Sequence, residues 1–333
     1  MTPPIRRILV AVKDIRGRSS PAIRKAAQLA RSLGAKLELF HAISEPVVID
    51  ALLFANQNLK EFEDQSRKQY LRRLESLAAP LRRDGLNVTT AAEWDFPTHE
   101  ALIRRARQIK TDLIVAQRHV GNHIAPWFLR YTDWELLRHS PVPVLLVKTA
   151  RQYTAPSVLA AIDPSHAFAK TARLDDEILA SGSRIAGATK GQLHVVHTYV
   201  PNLLDMVPAE LNAPDATAQI NAHAARHARQ GFDKALRAAR LGRLAPERQH
   251  LLAGHAVDAI PALARKLRCE LVVMGAVSRS GLKRLAVGNT AEQLLDDLPC
   301  DLLIVKPPAF ASRIKGKPRG PQRIAMGPST ATL

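Results

Sequence analysis

The residues best suited to chemistry lie in one glycine-containing stretch, VVMGAVSRSGLKRLAVGNTAEQLL, in the C-terminal third of the chain. Gly275 and Gly288 carry no side chain, so the backbone N–H groups beside them can approach an anion closely. Thr290 is predicted to open a helix, and the N-terminus of a helix favours negative charge. Lys283 and Arg284 add positive charge nearby. The stretch therefore predicts a phosphate-binding loop, while the residues alone leave open a purely structural turn between a strand and a helix.

Other side chains suited to chemistry are sparse. His223 and His227 lie four residues apart on a predicted helix, a spacing that can hold a metal, but no carboxylate or cysteine shares that turn. Cys269 and Cys300 precede two strands expected to be neighbours, which would allow a redox pair, although buried unpaired thiols are commoner. The sequence contains no P-loop, nucleophile elbow, zinc-ligand set or pair of catalytic carboxylates. We predict no catalytic residues, no metal site and a protein that is not an enzyme.

Composition limits the type of protein that carries this loop. The 333 residues suffice for two domains, and a hydrophobic content of 46% supplies packed cores. Lys and Arg outnumber Asp and Glu by 48 to 30, and the net charge of +18 favours anionic partners. Two cysteines exclude a disulfide scaffold and fit a reducing compartment. Because no apolar run approaches the roughly 18 residues of a membrane span, we expect a cytoplasmic protein without a transmembrane segment.

An internal repeat organises the chain. Residues 111–148 align without a gap with residues 269–306, at a constant offset of 158. Pairs matched at this offset are Leu113 with Leu271, Thr132 with Thr290, and Pro141 with Pro299. A period this long is typical of a duplicated domain and not of a solenoid.

Each half reads as alternating strands and helices. Short apolar runs at residues 8–12 and 158–162 predict strands buried on both faces. Ser20, Pro21 and Gly34 fit the N-cap, the first residue and the C-terminal stop of a helix. The alternation predicts an α/β fold with two tandem doubly wound domains, each a five-stranded parallel sheet flanked by helices. In such sheets ligands bind at the carboxyl ends of the strands, where the winding direction reverses.

The predicted domains cover residues 1–150 and 155–308, followed by a disordered basic tail over 309–333. The tail contains five basic residues, no acidic residue and several Pro and Gly breaks. Such a segment can contact nucleic acid or an anionic membrane weakly and in a salt-dependent way. A solubilising tail without a partner is the alternative.

The stretch that begins at Gly275 resembles the signature of the universal stress protein superfamily, whose nucleotide-binding members carry G-x2-G-x9-G-[S/T] between strand four and its helix. The tandem arrangement, YTDWELLRHSPVPVLLVK in the first half, and GNTAEQLL with CDLLIVKP in the second are similar to the two-domain type E subgroup. The resemblance covers about residues 5–308. It implies an adenine-nucleotide alpha hydrolase-like α/β fold, a cytoplasmic role in the stress response, and two halves that pair like a dimer through their last strands.

Carried over residue by residue, the resemblance implies a site for ATP or ADP in the second half. Gly275 and Gly288 match the first and third motif glycines, and Ser278 stands at the second. Asp163 matches the aspartate that holds the ribose or base. Ser278 does not adopt a positive φ freely, which would narrow the space for the phosphates. The alternative to a working nucleotide site is a loop that retains its glycines only for structural reasons. With Asn289 at the final Ser/Thr position, the predicted site residues are Asp163, Gly275, Ser278, Gly288, Asn289 and Thr290.

The first half departs further from the motif. Gln117, Val120 and Arg130 occupy the three glycine positions, and Lys13 stands where Asp163 stands in the second half. We predict that the first half has lost any nucleotide site and is a scaffold or binds something else.

Three functions remain open. The leading hypothesis is a non-enzymatic stress-response protein that acts as a nucleotide- or metabolite-responsive binding module. The second is anion or nucleic-acid binding driven by basic charge, although aromatic residues are only 5% and none is interleaved with the basic tail. The third is a slow ATPase, which would need a general base or a metal-binding carboxylate beside the loop.

Overall fold

Short apolar runs bounded by turn residues form the strands of two α/β units in the computed structural model. The first unit consists of Ile5–Val144 with the segment from Ser312 onward, and the second consists chiefly of Leu145–Ala311. The structure describes residues 4–15, 17, 19–50, 59–118, 127–164, 172–200, 214–275, 294 and 297–326.

The elements follow the predicted alternation. The strands are β1 (Arg7–Ala11), β2 (Lys36–Ile43), β3 (Val47–Asp50), β4 (Val88–Trp94), β5 (Leu113–Gln117), β6 (Val144–Val147), β7 (Ser157–Ile162), β8 (Gln192–Tyr199), β9 (Gln249–Ala253), β10 (Leu271–Gly275), β11 (Asp301–Val305) and β12 (Arg323–Met326). The helices are α1 (Pro21–Leu33), α2 (Leu59–Arg83), α3 (Thr98–Gln108), α4 (Trp127–His139), α5 (Ala172–Ala188), α6 (Pro214–Ala238) and α7 (Ala256–Lys266).

The central strands are buried on both faces, as their continuous apolar runs predict. Ile8, Leu9 and Val10 of β1 are each 0% exposed. The helix expected from the cap residues also forms, since Ser20 accepts a hydrogen bond from the backbone N–H of Ile23. Gly34 ends that helix with φ of 64°, a left-handed conformation that glycine adopts without strain. The predicted α/β fold is confirmed.

Each unit contains a point at which the winding of its parallel strands reverses. In the first unit, β1 pairs with β2 on one side and β5 on the other. In the second unit, β7 pairs in the same way with β8 and β10. We call the carboxyl ends of these strand pairs the first edge (β1 and β5) and the second edge (β7 and β10). Ligands of doubly wound sheets bind at such reversals.

The units divide at Val144–Leu145, ahead of the boundary at residue 150 expected from the repeat. The division falls inside β6, whose residues 145–147 belong to the same unit as β11, the strand beside β6 in the strand order. Asp301, which is fully buried, accepts hydrogen bonds from the backbone N–H groups of Lys148 and Thr149 and from the Tyr153 hydroxyl, at 2.7–3.1 Å. These bonds fix the segment after β6 within the second unit.

The expectation of a disordered tail is wrong for residues 312–326. β12 pairs in parallel with β3 of the first unit, and Arg107 on α3 donates one hydrogen bond to the backbone carbonyl of Ile314. The compositional argument failed because it treated the tail alone and ignored the hydrogen-bonding groups of the first unit.

Among the helices that the structure describes, none is both long and apolar enough to cross a membrane.

Candidate functional site

The second edge brings together two of the predicted site residues. Asp163 directly follows β7, and Gly275 is the last residue of β10. The parallel register pairs Ala161 with Met274, so Asp163 and Gly275 lie at the same end of adjacent strands. The other predicted members, Ser278, Gly288, Asn289 and Thr290, lie outside the described residues, as do Lys283 and Arg284.

Gly275 is required by packing. A Cβ atom at this position would lie 2.5 Å from Cδ2 and 2.9 Å from Cγ of Leu174, a buried residue on α5. Such distances are too short for carbon atoms in contact, so any side chain here must displace Leu174. The glycine therefore has a structural function whether or not a nucleotide binds beside it.

Asp175 is a buried carboxyl group next to Asp163 that sequence reasoning missed. It belongs to an acidic run at 175–177, a composition typical of a solvent-facing helix start, yet Asp175 is only 9% exposed. Its Oδ1 accepts a hydrogen bond of 3.1 Å from the backbone N–H of Asp163. Burial raises the pKa of Asp175 to about 7, against the opposing effect of that hydrogen bond. The group therefore changes charge near neutral pH, directly beside the predicted ligand aspartate.

A buried histidine supports the backbone just before Asp163. His197 on β8 is 1% exposed and donates from Nδ1 to the carbonyl oxygen of Ile162, at 3.2 Å. Its ring stacks on Phe232, with centroids 6.5 Å apart. Burial lowers the pKa of His197, which keeps the imidazole neutral at physiological pH.

The first edge repeats this support but carries the opposite charge. His41 on β2 donates from Nδ1 to the carbonyl oxygen of Val12, at 2.7 Å, and burial lowers its pKa as well. The residue after Val12 is Lys13, whose Nζ lies 2.5 Å from Oδ1 of Asp133 on α4. The Asp133 side chain is only 5% exposed. An internal ion pair therefore occupies this edge.

A small cavity opens at the first edge. Its volume is about 170 Å³, and its lining includes Lys13, His41, Glu45 and Thr98. Small-molecule sites are typically about 300–1,000 Å³, so the volume of this cavity lies below that range. Gln117 ends β5 at the same edge, whereas Val120 and the side chain of Arg130 lie outside the described part of the chain.

The remaining chemical candidates do not form sites within the described residues. His223 and His227 are both exposed on α6. In the part of the chain that the structure describes, no group of three or more His, Cys, Asp or Glu side chains could hold a metal ion. Cys269 and Cys300 are buried and form no disulfide in the described part of the chain, and burial raises the pKa of the Cys269 thiol to about 12. That thiol is therefore protonated at neutral pH and a poor nucleophile.

Comparison with known proteins identifies both repeats. The model of the universal stress protein family matches residues 4–148 and 157–306. Universal stress protein E of Photorhabdus laumondii is 24% identical over 92% of this chain and 97% of its own length. The corresponding Escherichia coli K12 protein is also 24% identical, over 92% of this chain and 96% of its own.

Solved structures agree with this match. A protein of unknown function from Pseudomonas aeruginosa PAO1 is 27% identical, with a TM-score of 0.68 over 91% of this chain and 93% of its own. A putative universal stress protein from P. aeruginosa UCBPP-PA14 is 29% identical, with a TM-score of 0.66 over 91% and 94% of the two chains. The chain therefore belongs to the universal stress protein family, as a tandem member of the type E kind.

Proposed function

We propose that this chain is a non-enzymatic, cytoplasmic stress-response protein whose second half binds an adenine nucleotide, ATP or ADP, or a related small metabolite. The observation that carries the proposal is the position of Asp163 and Gly275 together at the second edge, where β7 and β10 end side by side. This is the place at which doubly wound sheets bind ligands.

Each residue at this edge has a defined chemical part in the proposal. The Asp163 carboxylate would accept hydrogen bonds from ribose hydroxyl groups or from a base amine. In the sequence that follows Gly275, Ser278, Gly288, Asn289 and Thr290 would bind the phosphates, through hydroxyl, amide and backbone N–H donors. We assign to this site the role of holding the ligand as a signal, without converting it chemically. A slow ATPase is the competing function.

The first half is a scaffold in this proposal. The pair between Lys13 and the buried Asp133 already satisfies both charges at the first edge, and a phosphate there would face the Asp133 carboxylate. We further propose that the two halves pair as a pseudo-dimer, which would make one chain equivalent to two single-domain family members.

The test is to purify the protein natively, denature it, and identify any released small molecule by mass spectrometry. We expect an adenine nucleotide or a related metabolite from the wild type. Gly288→Val should abolish its retention by blocking the approach of the phosphates, while the matched change Gln117→Val at the first edge should leave retention intact. Ligand released equally from both variants would contradict the assignment. Conversion of added ATP to ADP by the wild type, and not by Gly288→Val, would favour the ATPase.

A further inference from the structure

The docked tail has a backbone held by one arginine. The Arg107 guanidinium on α3 donates from Nη1 to the Ile314 carbonyl at 2.6 Å and from Nη2 to the Ser312 carbonyl at 3.2 Å. Oγ of Ser312 in turn accepts from the backbone N–H of Ile314, at 3.3 Å. These bonds fix residues 312–314 on the surface of the first unit.

Two of the five basic tail residues are engaged in docking. The backbone N–H of Arg319 donates to buried Asp95 at 2.9 Å, and its guanidinium pairs with Glu100 at 2.8 Å. The Arg323 guanidinium pairs with Glu63 on α2, also at 2.8 Å. The first unit thus supplies three carboxylates that retain the tail after residue 318.

The other three cations point outward. Arg313, Lys315 and Lys317 are exposed and form no ion pair with any described residue, whereas Ile314 between them is half-buried. We call this group of three exposed cations, spaced two residues apart along the docked segment, the cationic stripe. The sequence contains no Asp or Glu after residue 301, so no tail carboxylate offsets them.

We propose that the cationic stripe is a built binding surface for the phosphate backbone of nucleic acid. A tail that only increased solubility would not require hydrogen bonds between its backbone and the first unit. It would also not require two of its cations to form docking contacts while three stay exposed. An anionic membrane fits less well, because membrane surfaces are bound through exposed apolar anchors beside the cations. Within residues 312–317 the apolar side chain, that of Ile314, is half-buried, and the exposed Ile324 lies on β12, beyond the docking contacts of Arg319. This surface is independent of the nucleotide site proposed for the second half.

The expected binding is non-specific in sequence, because phosphate contacts carry no base information. Each neutralised phosphate contributes about 0.9 to the slope of log affinity against log salt. Three stripe cations should therefore account for about 2.7 of that slope. Fixing the backbone beforehand reduces the entropy lost when the cations engage the nucleic acid.

The test uses the full chain and a short fluorescein-labelled DNA duplex, with affinity measured by anisotropy over a range of salt concentrations. Replacing Arg313, Lys315 and Lys317 by Ser should lower affinity at least tenfold and reduce the salt slope by about 3. The matched control replaces Lys234, Arg237 and Arg243 by Ser, which removes the same charge from exposed positions of the second unit. We expect the control to weaken binding less than threefold. Equal loss in the two variants would overturn the proposal, because binding would then follow net charge alone.

Arg107→Lys tests the built character of the surface without changing charge. Lysine lacks the forked donor geometry that reaches two carbonyl oxygens at once. We expect a roughly threefold weaker affinity, and faster hydrogen exchange at the Ile314 amide, with the salt slope unchanged. Unchanged affinity despite faster exchange would overturn the claim that docking prepares the stripe. Wild-type protein that ignores the duplex at low salt, or binds phosphatidylglycerol vesicles and not the duplex, would overturn the assignment of partner.

Discussion

The first and second edges share a backbone support and differ in charge. In both, a buried neutral histidine on the neighbouring strand donates to a carbonyl just before the diagnostic residue, at 2.7 Å for His41 and 3.2 Å for His197. The next residue is Lys13 at the first edge and Asp163 at the second. Duplication thus preserved the support while the side chain that would meet a ligand reversed its sign. The histidine serves the fold, and the residue after it decides what the edge can bind.

As a consequence, the first edge contains an internal ion pair, whereas the second edge contains two neighbouring carboxyl groups. Lys13 finds its counterion within its own unit, in Asp133. Asp163 is half-exposed beside Asp175, whose raised pKa keeps that neighbour largely uncharged below pH 7. A ligand at the first edge would meet an existing ion pair, whereas a ligand at the second edge would meet the Asp163 carboxylate, which can accept hydrogen bonds from hydroxyl or amine donors.

The largest effect should come from breaking the pair at the first edge. Lys13→Met leaves Asp133 buried without its counterion, which should cost about 3 kcal/mol of unfolding free energy, measured by urea denaturation. The double variant Lys13→Met with Asp133→Leu should recover most of the loss, because both charges are then removed. A single variant within about 0.5 kcal/mol of wild type would show that the edge does not depend on this pair.

A somewhat smaller effect on stability should come from Asp175 at the second edge, and this effect should depend on pH. The folded pKa of Asp175 is about 7 and its ordinary value is 3.8, so the unfolded chain releases the proton first as the pH rises. Stability therefore falls between about pH 4 and pH 7 in the wild type, and Asp175→Asn removes this dependence. Between pH 5 and 8, the wild type should lose about 2–3 kcal/mol more unfolding free energy than the variant. Parallel pH profiles would contradict the buried, protonated state.

The smallest effect should come from the glycine at the second edge. Gly275→Ala places a methyl group against Leu174 and should destabilise the ligand-free protein by about 1–2 kcal/mol. Gly187→Ala on α5 is the matched control, since nothing lies within 4 Å of its Cβ position, and it should stabilise by about 0.5–1 kcal/mol. If both changes stabilise the protein, packing does not explain the glycine.

The sequence predicted the elements well where local chemistry decides them. The cap at Ser20, the stop at Gly34 and the continuous apolar run of β1 each determine an element without outside help. Asp175 was missed although a signal existed: it lies three and four residues before Ile178 and Leu179, on the buried stripe of α5. The composition of an acidic run hid that periodicity.

The docked tail could not be predicted from its own residues. Its order depends on acceptors far away in the chain, such as Glu63, Asp95 and Glu100, and on β3, with which β12 forms a two-stranded sheet. Long-range pairing of this kind leaves no periodic pattern in the segment itself. The Lys13–Asp133 pair escaped sequence reasoning for the same reason, since 120 residues separate its members.

The most direct test of the difference between the edges is the stoichiometry of nucleotide binding. The full chain is titrated with a fluorescent ATP analogue at equilibrium, together with Asp163→Ala and, as the matched change at the first edge, the double variant Lys13→Met with Asp133→Leu. We predict one site per chain, an affinity at least tenfold weaker in Asp163→Ala, and no change in the double variant. Two sites per chain, or unaltered affinity in Asp163→Ala, would contradict the assignment of ligand binding to the second edge alone.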